Sequence, residues 1–319
     1  MTRTRAVRPA AVVRERAPEK TPEAMVEAFL HDQQTYGGRD GTGATKATVW
    51  TYRKLLLENS NAWAQPEPDG CGGSFDQGKI DDYLGRMKNS GIAEETYAKL
   101  VRHMKVFTKW AARAYPEDIT TNPLAEVSVR SKERVKWIPT RENVDAMLAA
   151  CEGPDFYDRR LRLMVTLYAG SGLRRAEILG ARIEDVNTTT RTITVTRKGG
   201  DQQAVPIGLK TIAALRDHLA TRPGWQKEDW LITDADGGRI RDDYATKLIR
   251  ALMKKAGLKE CGPHSLRRFF ATETAKNSNG NLHHVKEMLG HSTLTMTLRY
   301  AKLAGVTIQQ NHRRFDPLG

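Results

Sequence analysis

Apolar residues recur at every third or fourth position along most of this chain, which is the spacing of amphipathic helices. Before residue 116 this spacing predicts helices over residues 21–34, 46–58, 76–89 and 94–114. Beyond Pro139 it predicts further helices, with Thr140 as a cap on the first, over residues 142–152, 158–170, 209–220, 242–257, 265–276 and 282–290. The chain is therefore predicted to be mainly helical.

One segment follows a different pattern. Residues 192–207, TITVTRKGGDQQAVPI, carry alternating β-branched and apolar residues on both sides of a Gly-Gly pair. Alternation with a period of two indicates strands, and paired glycines favour a tight turn. This segment is predicted to be a β-hairpin with Lys198 at its tip, the small sheet of an otherwise helical protein.

Breaks in these patterns divide the chain. Residues 64–78 are rich in Pro and Gly, which predicts a loop, and Pro116 and Pro123 close the first group of helices. Residues 1–20 are basic and offer little to bury, so we expect a flexible tail. The predicted organisation is this tail, a helical domain over 21–128, a linker over 129–139 and a second domain over 140–319.

The charge balance points to a polyanionic partner. The 319 residues carry a formal net charge of +13, and basic side chains gain affinity for nucleic acid by displacing its condensed counterions. The predicted linker is itself basic, through Arg130, Lys132, Arg134 and Lys136. We interpret the linker as a segment that lies along a DNA backbone. The alternative for the linker is a segment that is merely solvated, and the alternative for the net charge is that it only keeps the protein soluble.

Several classes of protein are excluded at this stage. No apolar run reaches the roughly 18 residues of a membrane span, and residues 1–20 do not resemble a signal peptide. Cys71, Cys151 and Cys261 are far apart, which predicts neither disulfides nor a zinc site and favours the cytoplasm. His283 and His284 diverge on a helix and have no carboxylate-rich partner set. We expect neither a metal nor any other cofactor.

Two arginines are candidates for holding a phosphate. Arg174 follows a Gly-Leu turn in GSGLRRAE, and Arg267 comes three residues after His264 in HSLRR, on one helical face. A planar guanidinium can donate to two phosphate oxygens at once, and fixed cationic donors stabilise the charge that develops during phosphoryl transfer. Most arginines are surface charges, so neither position decides the function alone.

Taken together, four motifs resemble the signature of the tyrosine recombinase, or phage integrase, family. They are G-L-R-x-x-E from Gly172 to Glu177, Lys198 on a hairpin, H-x-L-R from His264 to Arg267, and L-G-H from Leu289 to His291 with Tyr300 nine residues later. They occur in the order found in the family. The resemblance covers the whole second domain, and the first domain resembles the helical core-binding (SAM-like) domain of the same family.

The resemblance implies a mechanism. Tyr300 would attack the scissile phosphate and form a 3′-phosphotyrosyl intermediate, with Arg174 and Arg267 on the non-bridging oxygens. Lys198 would protonate the leaving 5′-oxygen, a task suited to a flexible ammonium. His264 would assist proton transfer, His291 would donate a hydrogen bond to the phosphate, and Glu177 would support the arginine and the histidines.

The sequence leaves some assignments open. Each chosen residue has a basic neighbour: Arg175 beside Arg174, Arg268 beside Arg267, and Arg197 beside Lys198. The family motifs favour Arg174 and Arg267, and the spacing to Glu177 and His264 supports that choice. Many relatives carry a second histidine where this chain has Arg268, and the hairpin turn reads RKGGD where G-K-G is frequent, which makes the assignment of Lys198 the least secure.

The family also implies an architecture and partners. A helical domain and a mixed α/β catalytic domain would close around duplex DNA as a C-shaped clamp. A dimer would bind each site, a homo-tetramer would form a Holliday junction, and accessory DNA-bending proteins would assist. A mobile-element integrase is the preferred role, and a Xer-type dimer resolvase is the alternative. Less favoured are an inactive DNA-binding factor and a type IB topoisomerase.

Overall fold

The computed structural model describes residues 22–37, 43–57, 77–116, 119, 122–129, 136–197, 200–258, 262–278, 281–290, 293–294 and 297–298. The residues proposed above that lie outside these ranges are Arg130, Lys132, Arg134, Lys198, His291 and Tyr300. The basic tail and most of the Pro/Gly-rich loop lie outside them too. The chain divides into two compact units, residues 1–134 and 135–319, while the finer domain boundaries stay predictions.

The regular secondary structure in the described part of the first unit is all helical. Its helices are α1 (Pro22–Tyr36), α2 (Lys46–Leu56), α3 (Gln77–Asn89) and α4 (Glu94–Ala114). Their apolar faces meet in one core, in which Phe29 makes edge-on ring contacts with Tyr52, Phe107 and Trp110 at centroid distances of 5.0, 5.3 and 5.5 Å. These helices follow the predicted spacing to within two residues at each end.

The second unit is built around a buried helix. Its helices are α5 (Arg141–Ala149), α6 (Phe156–Ser171), α7 (Arg175–Leu179), α8 (Leu209–Ala220), α9 (Asp242–Lys255), α10 (Pro263–Asn277) and α11 (Leu282–Leu289). Helix α6 packs against α5, α7, α8, α9 and α10, so apolar residues cover it on most sides. Thr140 caps α5 in a reciprocal capping box with Asn143, as its position in the sequence predicts.

The sheet of this unit has three antiparallel strands, β1 (Val186–Asn187), β2 (Thr192–Thr196) and β3 (Gln202–Pro206), in the order β1-β2-β3. Ile193 pairs with Val205 and Val195 with Gln203, and the three apolar residues of these pairs are buried in the core, which favours this register of the hairpin. The hairpin was predicted from the alternation, but β1 was not, because two residues are too few to show a period. The mainly helical fold with a small sheet is confirmed.

One histidine of the second unit, His218, is buried in the interior. His218 on α8 is fully buried, its ring centroid is 5.4 Å from that of Phe156, and neither ring nitrogen has a hydrogen-bond partner among the described residues. Burial, followed by the charges of Arg222 and Arg160, lowers the pKa of His218 to about 4. The folded state therefore favours the neutral imidazole of His218, and protonation of this ring opposes folding.

The second unit is expected to lose stability in mild acid through His218. The pKa is near 6.5 in the unfolded chain and about 4 in the folded one, so the unfolded state binds more protons as pH falls through this window. The free energy of unfolding should fall by about 3 kcal/mol between pH 7 and 4 from this group alone. Denaturant unfolding of the wild type and of His218→Leu across this pH range separates the effect of His218 from that of the carboxylates, because the variant lacks only the histidine. If the free energy of unfolding fell equally with pH in both proteins, the prediction would be contradicted.

Candidate active site

The Gly172 turn places Arg174 at the start of α7. Gly172 has the left-handed conformation (φ 62°), and a Cβ there would lie 2.2 Å from the ring of Phe270, so only glycine fits this turn. Arg174 is the N-terminal cap of α7, and Glu177 in the first turn accepts from its backbone N–H at 2.7 Å. The G-L-R-x-x-E spacing is therefore the local geometry of a turn followed by a capped helix.

Glu177 joins two guanidinium groups. One carboxylate oxygen accepts from Nη1 of Arg174 at 2.8 Å, and the other from Nη1 of Arg197 at 2.8 Å, while the Glu177 side chain is only 4% exposed. Burial alone would raise the pKa of this carboxyl. The hydrogen bonds from Arg174 and Arg197, and the charge of Arg197, outweigh it and lower the pKa. Glu177 is thus a charged support for two cations, and no contact of it with His264 is found among the described residues.

The C-terminal end of α11 is the point on which these side chains converge. The last carbonyls of a helix have no partner within the helix and form the negative end of its dipole. Here four successive carbonyls are each satisfied by a different side chain. Gln203 Nε2 donates to Glu287 O at 3.2 Å, Arg197 Nη2 to Met288 O at 3.2 Å, Arg267 Nη2 to Leu289 O at 2.6 Å, and Arg174 Nη2 to Gly290 O at 2.8 Å.

Arg267 and His264 both come from the first turns of α10, but their environments differ. Arg267 is 6% exposed and also donates through Nη1 to Gly172 O, so it ties α10 to the same turn that places Arg174. His264 is exposed. Partial desolvation, and then the charges of Arg175, Arg267, Arg268 and Lys136, lower its pKa, which favours the neutral imidazole.

The structure separates the arginines that the motifs favour from their neighbours in the chain. Arg175 pairs with Asp242 at 2.9 Å and donates to Thr246 Oγ1 at 2.7 Å, both on α9. Arg268 donates to Ser265 Oγ at 2.7 Å and to Trp137 O at 3.1 Å. Neither is among the four side chains that satisfy the end of α11, whereas Arg174 and Arg267 are.

Three of the proposed catalytic residues, Lys198, His291 and Tyr300, lie outside the described residues, but the nearest described neighbours of Lys198 and His291 belong to this cluster. Arg197 directly precedes Lys198, and Gly290 directly precedes His291. The L-G-H motif has a local reason. Gly290 ends α11 in the left-handed conformation (φ 58°), and a Cβ there would lie 2.9 Å from the guanidinium of Arg197.

Comparison with known proteins decides the family. Residues 138–305, more than half of the chain, match the phage integrase family. This chain belongs to the phage integrase family. The match begins within three residues of the start of the second compact unit, Val135, and it contains all four motifs.

Integrase-family relatives match both units. Proteins named tyrosine recombinase XerD are 29% identical over 303 residues in Staphylococcus aureus and 24% identical over 304 residues in Halalkalibacterium halodurans, covering 92% and 93% of this chain and 99% of each relative. Among solved structures, the Tn1549 transposon integrase in complex with transposon right end DNA has a TM-score of 0.73 at 18% identity, covering 93% of this chain and 99% of that one.

Beyond the motifs of the integrase family, the structure adds Arg197 and Gln203 to this cluster. The sequence identified Arg197 only as a rival to Lys198, and Gln203 not at all. No periodic signal could have found them, because their partners on α7 and α11 are distant in the chain and come together only in the tertiary fold.

A basic surface on α4 of the first unit was also missed. Lys99, Arg102, Lys109 and Arg113 are exposed on one face of this helix, with the exposed Val106 between them and no acidic residue among them. They span about 21 Å at 1.5 Å per residue. The signal was present in the sequence, as basic residues at helical spacing opposite an apolar face. We call these four residues the α4 basic stripe.

No described helix is long and apolar enough to cross a bilayer. Among the same residues, no group of three or more His, Cys, Asp or Glu side chains could hold a metal ion. The expectation that the chain works without a metal stays a prediction.

Of the four basic linker residues, only Lys136 is described, and it is exposed.

Proposed function

We propose that this protein is a site-specific DNA recombinase that cleaves and rejoins DNA through a covalent bond to Tyr300. One observation carries the proposal: Arg174 and Arg267, from different helices, converge on the consecutive carbonyls of Gly290 and Leu289 at the end of α11. Two guanidinium groups held this close together form a preorganised cationic site for one phosphate. Membership of the phage integrase family supports the same activity.

In the proposed reaction, the phenol oxygen of Tyr300 bonds to the scissile phosphorus, and the bond from phosphorus to the 5′-oxygen breaks. Tyr300 loses its proton to a base, and Lys198 gives one to the leaving 5′-oxygen. The products are a 3′-phosphotyrosyl enzyme and a free 5′-hydroxyl. Because the phosphodiester energy is conserved in this bond, a 5′-hydroxyl from a partner strand reverses the step without ATP or a metal.

The other residues have roles that fit their surroundings. Arg174 is about one-third exposed (32% of its side chain), and a guanidinium has five N–H donors, of which two are used for Glu177 and Gly290. The remaining donors are directed to the phosphate. The lowered pKa of His264 suits a neutral base that takes the Tyr300 proton, and His291 donates to a phosphate oxygen.

Duplex DNA is the proposed partner of both units. The α4 basic stripe and the linker cations Arg130, Lys132, Arg134 and Lys136 contact phosphates, which position a protein on DNA without reading its sequence. A dimer binds each site, two dimers form a tetramer around a Holliday junction, and accessory DNA-bending proteins complete the assembly. The enzyme acts at the nucleoid in the cytoplasm.

Neutralising the α4 basic stripe is expected to weaken DNA binding at every sequence alike. Replacing Lys99, Arg102, Lys109 and Arg113 with Gln should lower the affinity at least about 10-fold and reduce the slope of log K against log salt by up to about 4, because each lost phosphate contact removes about one released counterion. Fluorescence anisotropy across a salt series measures both. The residues are exposed, so the melting temperature serves as the control; an unchanged slope would exclude the stripe from the interface.

The biological role that we propose is that of a mobile-element integrase, supported by the transposon integrase as a structural neighbour. A Xer-type dimer resolvase is the second candidate, because the XerD relatives match along 99% of their own length. Selection of genomic fragments on the immobilised protein distinguishes the two. Sites at both ends of one element support the integrase, and a single chromosomal site supports the resolvase.

Covalent trapping tests the enzymatic proposal. A duplex carrying the selected site is nicked close to the scissile phosphate, so that the short product diffuses away and rejoining fails. We expect a protein–DNA adduct that survives denaturation and EDTA, with mass spectrometry placing the phosphodiester remnant on Tyr300. Absence of an adduct on DNA that the protein demonstrably binds would leave a DNA-binding factor without recombinase activity.

A further inference from the structure

Arg197 is buried where no motif predicts a functional residue. Arg197 follows the last residue of β2 and directly precedes Lys198. Its backbone closes the hairpin turn: its N–H donates to Asp201 O at 2.7 Å, and its carbonyl accepts from Gly200 N at 3.0 Å. Its side chain is only 9% exposed. A guanidinium buried to this extent is costly unless it is paired and hydrogen-bonded.

Each of its three donor groups meets a different segment of the second unit. Nη1 donates to Glu177 on α7 at 2.8 Å, Nε to Gln203 Oε1 on β3 at 2.8 Å, and Nη2 to Met288 O on α11 at 3.2 Å. The fork of the guanidinium thus joins the hairpin, the helix that begins after Arg174, and the helix that ends before His291. Gly290 provides the space, since a Cβ there would contact Arg197.

The contacts of Arg197 are shared with Arg174. The oxygen Oε2 of Glu177 accepts both from Arg197 Nη1 and from the backbone N–H of Arg174, while Oε1 accepts from the Arg174 side chain. On α11 the two arginines bind Met288 O and Gly290 O. If Arg197 is removed, Glu177 loses one of its two cations and the end of α11 loses a donor at Met288 O, so Glu177 and Gly290 O, the two groups that Arg174 contacts, are both free to shift.

We propose that Arg197 is a positioning residue for the cleavage step, which holds Arg174 and the segments leading to Lys198 and His291 in one fixed arrangement. This inference rests on the proposed recombinase function. Arg197 is not proposed to contact DNA, because each of its three nitrogens already donates within the protein. A displacement of about 1 Å at a reacting group is enough to slow a reaction about 100-fold.

The test measures single-turnover cleavage of the nicked duplex at saturating enzyme, together with the Kd for the same DNA. Arg197→Met should cleave about 10- to 100-fold more slowly with a Kd within about 3-fold of wild type. The cleavage rate of Arg197→Lys should lie between those of the wild type and Arg197→Met, since one ammonium keeps the charge beside Glu177 but cannot reach Gln203 and Met288 O as well. Arg241→Met, a similar change at an exposed arginine (83%) paired with Asp243, is the matched control.

A double-mutant cycle with Arg174→Lys separates positioning from general loss of structure. If Arg197 acts through Arg174, adding Arg197→Met to Arg174→Lys should slow cleavage by less than about 3-fold. Full additivity, or single-mutant cleavage within about 3-fold of wild type, would overturn the inference. Should Arg197→Met fail to fold, the same cycle is run with Arg197→Lys. Failure of the wild type to form any adduct is a different result, because it rejects the proposed function itself.

Discussion

Replacing Tyr300 with phenylalanine is expected to abolish the covalent protein–DNA adduct. The change removes one oxygen, the proposed nucleophile, and leaves the ring in place. Loss of a nucleophile from a site that acts as a unit costs at least about 10⁴-fold, which puts the residual cleavage below detection on a denaturing gel. DNA affinity should stay within about 3-fold, since the phenol contributes to the reaction and not to the charge that attracts DNA.

Tyr157→Phe is the matched control for this variant. Tyr157 lies on α6 in the same unit and is 54% exposed, so removal of its hydroxyl should leave adduct formation at the wild-type level. An adduct that persists in Tyr300→Phe would assign the nucleophile to another residue. Loss of adduct in both variants would point to a general defect of the unit instead.

Replacing Arg174 with lysine is expected to slow single-turnover cleavage by about 10²- to 10³-fold, the usual effect of removing one preorganised donor at a developing negative charge. The change keeps the charge but loses the fork. One ammonium cannot contact Glu177, Gly290 O and a phosphate oxygen together. Cleavage of the nicked duplex, followed in time on a denaturing gel, measures the rate, and the Kd should change little.

Arg175→Lys provides a control one residue away. Arg175 contacts Asp242 and Thr246 on α9, so its replacement should change the cleavage rate only a few-fold, with any loss seen as a lower melting temperature. The reverse order of effects, with Arg175→Lys the slower enzyme, would contradict the assignment of Arg174 to the phosphate. Equal slowing of cleavage by the two substitutions would mean that the loss of rate depends on the position at the start of α7 and not on the contacts of each side chain.

The secondary structure was largely predictable because it depends on local rules. Helix α4 matches its predicted range, 94–114, since its apolar residues repeat every three to four positions over more than five turns. Thr140 was recognised as a cap from its position before α5, and the hairpin from its alternation. Strand β1 was missed because a two-residue strand exists only through its pairing with β2, at Val186 with Ile193 and Asn187 with Thr192.

The candidate site was predictable only in part. Arg174, Glu177, His264 and Arg267 stand in motifs whose spacing is local, a glycine turn before a capped helix and one turn of α10. Arg197 and Gln203 stand in no motif, because their partners lie up to 91 residues away in the chain. The α4 basic stripe could have been found, since its basic residues recur at helical spacing.

The sequence by itself determined the mainly helical class, the hairpin, the basic charge and the family, because periodicity, composition and motif spacing are properties of neighbouring residues. Only the tertiary structure decided which arginine of each adjacent pair reaches the end of α11. Arg174 and Arg267 do so together with Arg197, and Arg175 and Arg268 bind elsewhere. The reason is physical: unpaired carbonyls at a helix end and a buried carboxylate select their donors in space, between helices that the sequence places far apart.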